Sequence, residues 1–169
     1  LTKPGCGDNS GTMKVNRGGS LYGLTQWEIT LAELLSAQGY ATGHFGKWHL
    51  NGKNGDRDTK TAPGRAILAD DPLSPGKLGF DEWVSADNFF DLDPVLGRNG
   101  APEKFQGDGS DIATAEALKF IRKQAGAGKP FFTVVWFGNP HTPHEALPAD
   151  KELYAKLPAE DRLRLHTLV

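Results

Sequence analysis

Two short clusters in this chain of 169 residues carry side chains able to handle an oxyanion or a proton. The first is Lys47-Trp48-His49. In an extended segment residues i and i+2 point to the same side, so Lys47 and His49 would present an ammonium and an imidazole together while Trp48 turns into the core. Lysine supplies a point charge and histidine a directional hydrogen bond or a proton, a pairing suited to a tetrahedral oxyanion. The same three residues also read as a solvated lysine, a core tryptophan and a turn-capping histidine, and so short a spacing leaves both readings open. The second cluster is His141-Thr142-Pro143-His144. Pro140 and Pro143 preclude a regular helix, so helical zinc-motif spacing does not apply. With no cysteine nearby and no placeable acidic third ligand, zinc is disfavoured. A general acid at a cleft rim and a proline-rich surface turn are the two readings left.

Other groups carry less. Asp87, Asp91, Asp93, Asp108 and Asp111 lie close in sequence, but no stretch matches a twelve-residue calcium loop with its closing glutamate. They read as solvated or capping carboxylates, Asp111 as the cap of the helix that follows. Gly107-Asp108-Gly109 is too short a glycine pattern for a phosphate loop. Cys6 has no neighbouring base and reads as an incidental thiol.

The elements that must position these clusters alternate between helix and strand. Residues 1–23 are loop-like in composition. Thr30-x-x-Glu33 is a capping box that opens a helix ending at Gly39, a natural residue for a left-handed terminus. Residues 40–45 read as a short strand that delivers Lys47 and His49 into a loop. Residues 51–109 form a long, irregular excursion with short elements near 80–84; stretches of that length are usually functional. A second helix begins near Ser110, with Ile112, Ala115, Leu118 and Ile121 along one face and Gly126-Ala127-Gly128 at its end. The apolar, β-branched and aromatic run 131–137 suits a central parallel strand buried on both faces, and His141 follows its carboxyl end. Residues 161–169 read as a helix still in progress. The order is that of an α/β protein with a largely parallel sheet, in which ligands bind beyond the carboxyl ends of the strands. Both clusters lie there.

Composition excludes several function classes. Nineteen basic residues stand against 21 acidic ones, a net charge of -2, without the basic excess of a nucleic-acid partner. No apolar run approaches the ~20 residues of a membrane span. A single cysteine rules out an internal disulfide. The charged share of 24% and hydrophobic share of 38% are ordinary for one globular domain.

The segment TLAELLSAQGYATGHFGKWHL, from Thr30 to Leu50, closely resembles the second signature region of the type I, formylglycine-dependent sulfatases. Gly79-Phe80-Asp81-Glu82-Trp83 resembles the family's GFDEW segment, and Lys129-Pro130-Phe131-Phe132 leading to His141-Thr142-Pro143-His144 resembles its KPFF…PHxP strand and loop. Four pieces in the family's order span most of the chain. The resemblance implies an alkaline-phosphatase-like α/β/α sandwich, of which residues 1–169 would be one partial domain, an internal part of a sulfatase N-terminal catalytic domain. It implies an arylsulfatase-like sulfuric ester hydrolase using a formylglycine nucleophile and a divalent cation, usually calcium. By position Lys47 matches the sulfate-binding lysine, His49 the histidine that hydrogen-bonds the formylglycine, and His141 the histidine that contacts the sulfate and protonates the leaving oxygen. His144 matches no assignable role.

The nucleophile signature Cys/Ser-x-Pro-Ser-Arg is absent from these residues, as are the acidic metal pair and the later Asp-Asn/His pair. The family places the first two upstream and the last downstream, so no metal ligand is assigned here and the chain alone is expected to be inert. The expected partner is a small-molecule or polysaccharide sulfate ester, and the resemblance implies a periplasmic or extracellular setting. Two alternatives stand beside this: a phosphate or phosphonate ester hydrolase of the same superfamily, and a non-catalytic sulfated-glycan binder.

Overall fold

Thr30 starts the structure's first helix as the sequence predicts. Its hydroxyl accepts from the Glu33 N–H at 3.1 Å and the Glu33 carboxylate accepts from the Thr30 N–H at 2.7 Å, closing a capping box on α1 (Leu31–Ala37). The helix stops where Gly39 takes a left-handed φ of 85°. The computed structural model describes residues 28–50, 66–87, 89, 91–139, 145–158 and 161. The expectations for residues 1–23, Cys6, His141, His144 and the helix at 161–169 lie, but for Asp161, outside them.

Strand β1 (Ala41–Lys47) follows directly. It pairs in parallel with β2 (Glu82–Ala86) on one side and with β5 (Phe131–Trp136) on the other. Beyond β2 an antiparallel hairpin, β3 (Val95–Arg98) and β4 (Ala101–Lys104), completes the order β4-β3-β2-β1-β5. Helix α2 (Gly109–Gly126) covers one face, and a short helix α3 (Pro148–Leu153) comes last. Phe45, Val84, Phe89, Leu96, Ile112, Ala117 and Phe120 form the core between sheet and α2. On the other face Ala32 of α1 joins Trp48, Ile67, Leu78, Phe80 and Trp83. The product is helix on both faces of a mixed sheet with a parallel centre.

The Gly79-Phe80-Asp81-Glu82-Trp83 segment works as a clip at the start of this sheet. Gly79 turns with φ 94°, where a Cβ would lie 2.4 Å from the Glu33 nitrogen. Its carbonyl accepts from the Thr42 hydroxyl at 2.7 Å, and the Asp81 carboxylate accepts from the Thr42 N–H at 3.0 Å. Phe80 and Trp83 are buried beneath.

Four expectations are corrected. The central strand is β1, buried from Ala41 to Gly46; among the described residues β5 is an edge strand, half-buried, with Trp136 and the following Phe137 exposed. The small residues of β1 decide this, because they admit bulky neighbours on both faces: a Cβ on Gly43 would stand 3.0 Å from the Phe120 ring. The buried face of α2 is Ile112, Ala113, Glu116, Ala117, Phe120 and Gln124, the drift of a 3.6-residue period, so Ala115 and Leu118 face outward. Its cap is Asp108, whose carboxylate accepts from the Ser110 N–H at 2.7 Å, while Asp111 lies in the first turn. Part of the 51–109 excursion is the β3–β4 hairpin, turned at Asn99-Gly100 with φ 48° and 92°. That dipeptide is a strong hairpin signal. Arg98 then ties the hairpin to α2, donating to Glu103 at 2.5 Å and to Glu116 at 2.8 Å. Burial works to raise the Glu116 pKa, but hydrogen bonds from Arg98 and Lys119 prevail and hold it below the ordinary carboxylate value.

Candidate functional site

The carboxyl ends of β1, β2 and β5 form one rim, since the three strands run parallel. Lys47 is the last residue of β1 and is partly buried there. Burial lowers its pKa from the ordinary lysine value, and the negative charge of Asp87 pulls it back upward. Asp87 stands one residue beyond β2 and is only 8% exposed, so it is not a solvated carboxylate. Its place follows from the strand register, Lys47 opposite Ala86.

Trp48 turns into the core as the spacing predicts, 3% exposed, with its indole N–H donating to the Leu73 carbonyl at 2.8 Å. Its backbone N–H donates to the Ala86 carbonyl at 2.7 Å, prolonging the β1–β2 pairing by one residue. His49 departs from expectation. It takes a left-handed φ of 48°, so the extended-chain alternation that would align it with Lys47 ends at Trp48. Lys47 and His49 therefore lie at the same strand end without the shared face that an extended strand would give them. His141 lies outside the described residues, two positions after Asn139, the last described residue beyond β5. The Asn139 side-chain amide donates to the Ser110 hydroxyl at 3.3 Å, which brings that end of β5 to the first turn of α2.

His44, the one histidine within β1, belongs to the core. Its Nδ1 lies 2.7 Å from the Ser85 hydroxyl, and its ring meets Trp48, Phe80 and Trp136 edge to face at centroid distances of 4.8, 5.3 and 5.2 Å. Burial pushes its pKa down to about 3, so it is a neutral packing group rather than an acid or base of the site. The linkage has a definite sign. The unfolded chain binds this proton near the ordinary value of 6.5 and the folded one only near 3. Stability is therefore fully present above pH 6.5 and falls as pH drops toward 3, at about 1.4 kcal/mol per pH unit. Urea unfolding at pH 7 and pH 4 is expected to differ by on the order of 3 kcal/mol from this group. A His44→Met variant should lose that part of the slope; an unchanged slope would contradict the assignment.

Among the described residues no three His, Cys, Asp or Glu side chains converge to hold a metal ion. Nor is any described helix long and apolar enough to cross a membrane. Among the described residues the rim offers a lysine ammonium, a histidine at a left-handed backbone position and a buried carboxylate. That set can bind the oxygens of an anion and exchange a proton with it.

Comparison with known proteins fits this arrangement. Residues 8–162 match the family model described as Sulfatase. An ulvan-active sulfatase of Formosa agariphila is 32% identical over 136 residues, covering 78% of this chain and 24% of that protein. The structure of Ps i-CgsB in complex with k-i-k-neocarrahexaose superposes with a TM-score of 0.69 at 22% identity, covering 91% of this chain and 36% of that one. BT4656 in complex with its substrate D-glucosamine-2-N,6-O-disulfate gives a TM-score of 0.56 at 21% identity, covering 83% and 26%. At those identities the structural likeness is one of fold. The chain spans about a quarter of the curated relative's length, 24%.

Proposed function

The chain belongs to the sulfatase family, and from that premise we propose that the complete protein hydrolyses sulfate esters at the rim formed by β1, β2 and β5. The observation that carries this reading is Lys47, partly buried at the carboxyl end of the central parallel strand, where α/β sheets bind their ligands. A sulfuryl group needs positive charge fixed in place before the reaction rather than recruited during it, and Lys47 supplies that charge. The leaving alkoxide needs a proton, and His141 is assigned to deliver it while contacting the sulfate. His49 is assigned as the hydrogen-bonding histidine beside the nucleophile. The family implies a formylglycine nucleophile and a calcium ion; neither a precursor signature nor a set of metal ligands is found among the described residues.

A sulfated saccharide is the proposed substrate class, supported by the substrate bound to BT4656. A periplasmic or extracellular setting is proposed with it, on family resemblance. The test is turnover by the complete protein of an aryl sulfate and its matched aryl phosphate. A higher kcat/KM on the sulfate is the expected result. Preference for the phosphate would move the protein to the phosphoester branch of the superfamily, and saturable sulfated-glycan binding without turnover would make it a binder.

A further inference from the structure

β5 ends on two aromatic side chains that the fold leaves uncovered. Among the described residues Trp136 and Phe137 are the exposed aromatics, at 44% and 48%; the other exposed large apolar side chains are leucines and an isoleucine. Tryptophan is highly buried on average, and Trp136 is held rather than loose. Its indole stacks on Trp48 at a centroid distance of 6.2 Å and 25°, and meets the His44 ring at 5.2 Å and 85°. Both supports are core residues. One part of the indole is thus fixed against the core, and the rest is open at the carboxyl end of the parallel strands, where α/β sheets bind their ligands. Its strand partner is Gly46, the residue before Lys47, which sets the Cα atoms of Lys47 and Trp136 about 6 Å apart. Strand alternation turns the two side chains toward opposite faces of the sheet, so a ligand touching both lies across the strand ends.

We propose that Trp136 is a saccharide-stacking residue: its indole packs against the C–H face of a pyranose ring lying across the strand ends, with the ring's sulfate ester at the Lys47 ammonium. Two features select this occupant. The face of an aromatic ring is negative and attracts the weakly positive C–H groups of a sugar, while the neighbouring ammonium attracts an anion. A sulfated sugar offers both surfaces at once, whereas an apolar peptide segment on the indole would leave the charge unanswered. The indole is also already packed, so binding freezes little side-chain motion. The proposal rests on the sulfatase reading for the identity of the ester; the contact between sugar ring and indole is read without turnover.

Two readouts on the complete protein test this. The first is oxidation of Trp136 by N-bromosuccinimide, located by peptide mass spectrometry, with and without oligosaccharides of ulvan, carrageenan and sulfated glycosaminoglycans. Trp136 is expected to be oxidised in the free protein and protected by at least one of these saccharides. The second is affinity for the protecting saccharide, read as KM where it is turned over and by calorimetry where it is not. Trp136→Leu, apolar but without a flat face, is expected to weaken it roughly three- to tenfold, the size of one aromatic contact. Trp136→Phe should restore most of the loss. Inorganic sulfate, which has no ring to stack, should bind the Leu variant as it binds the unsubstituted protein. Three results overturn the proposal: a Trp136 that resists oxidation in the free complete protein because another segment covers it, protection by none of the saccharides, or an equal loss of inorganic sulfate affinity, the mark of a merely structural indole. Protection without turnover strikes the sulfatase reading and leaves the stacking residue in place.

Discussion

Lys47→Ala in the complete protein is expected to lower kcat/KM for an aryl sulfate by about 100- to 1000-fold, the loss typical of removing one preorganised charge from a developing anion. The physical basis is placement. Lys47 closes the strand that lies between β2 and β5; its backbone is paired with Ala86 of β2 and follows directly on Gly46, paired with Trp136 of β5, so its charge needs little reorganisation when the ester arrives. Truncation leaves the core untouched, because the buried neighbour is Trp48 rather than Lys47. Folding by circular dichroism and the urea midpoint should therefore be near those of the unsubstituted protein. Lys47→Arg keeps the charge but is a planar, longer fork, and is expected to recover only part of the rate. Retention of full kcat/KM by Lys47→Ala would remove this lysine, and with it the rim, from the proposed chemistry.

Gly46→Ala is expected to destabilise the fold by roughly 4 kcal/mol or more, the sum of a strained left-handed backbone and severe overpacking. Gly46 has φ 106°, and a Cβ there would lie 2.0 Å from the Trp136 carbonyl oxygen. The clash is with backbone, in the register position where Gly46 pairs Trp136, so no side-chain rotation relieves it. β5 must move away from β1 or the backbone must leave this positive φ, and either displaces Lys47, the next residue. Chemical unfolding of the variant checks the stability, and acetylation of Lys47 reports the displacement. A loss under about 1 kcal/mol, the ordinary range for a tolerated substitution, would show that the strands separate easily here. The glycine before the lysine is thus a requirement of strand contact: only a residue without Cβ lets two parallel strands approach closely at the rim.

Local signals were the ones legible without coordinates. Thr30 and Glu33 form the capping box their spacing predicts. Gly39 terminates α1, and Trp48 faces inward as the residue between two polar neighbours should. Each depends on contacts within a few residues, where side-chain chemistry and chain geometry nearly decide the outcome. The α/β class was legible for the same reason, since helical and strand patterns alternate along the chain. The apolar run at 131–137 misled about the centre of the sheet, because an aromatic strand can bury one part against α2 and expose another at an edge. The Asn99-Gly100 hairpin carried its own signal but lay inside a stretch whose prolines, glycines and aspartates suggest irregular chain.

The sequence by itself placed Lys47 and His49 at the end of the first strand, with the proposed proton donor His141 after β5 outside the described residues, and through its ordered motifs determined the family to which the chain belongs. Tertiary structure alone decided that Asp87 is buried just beyond β2 and that His44 is a neutral core group set against Ser85. It alone decided that Gly46 must admit the Trp136 carbonyl. These three facts depend on strand register between segments about 40 to 90 residues apart in the chain. Register is set by the packing of whole faces, a cooperative property of the assembled sheet that no single stretch of sequence contains.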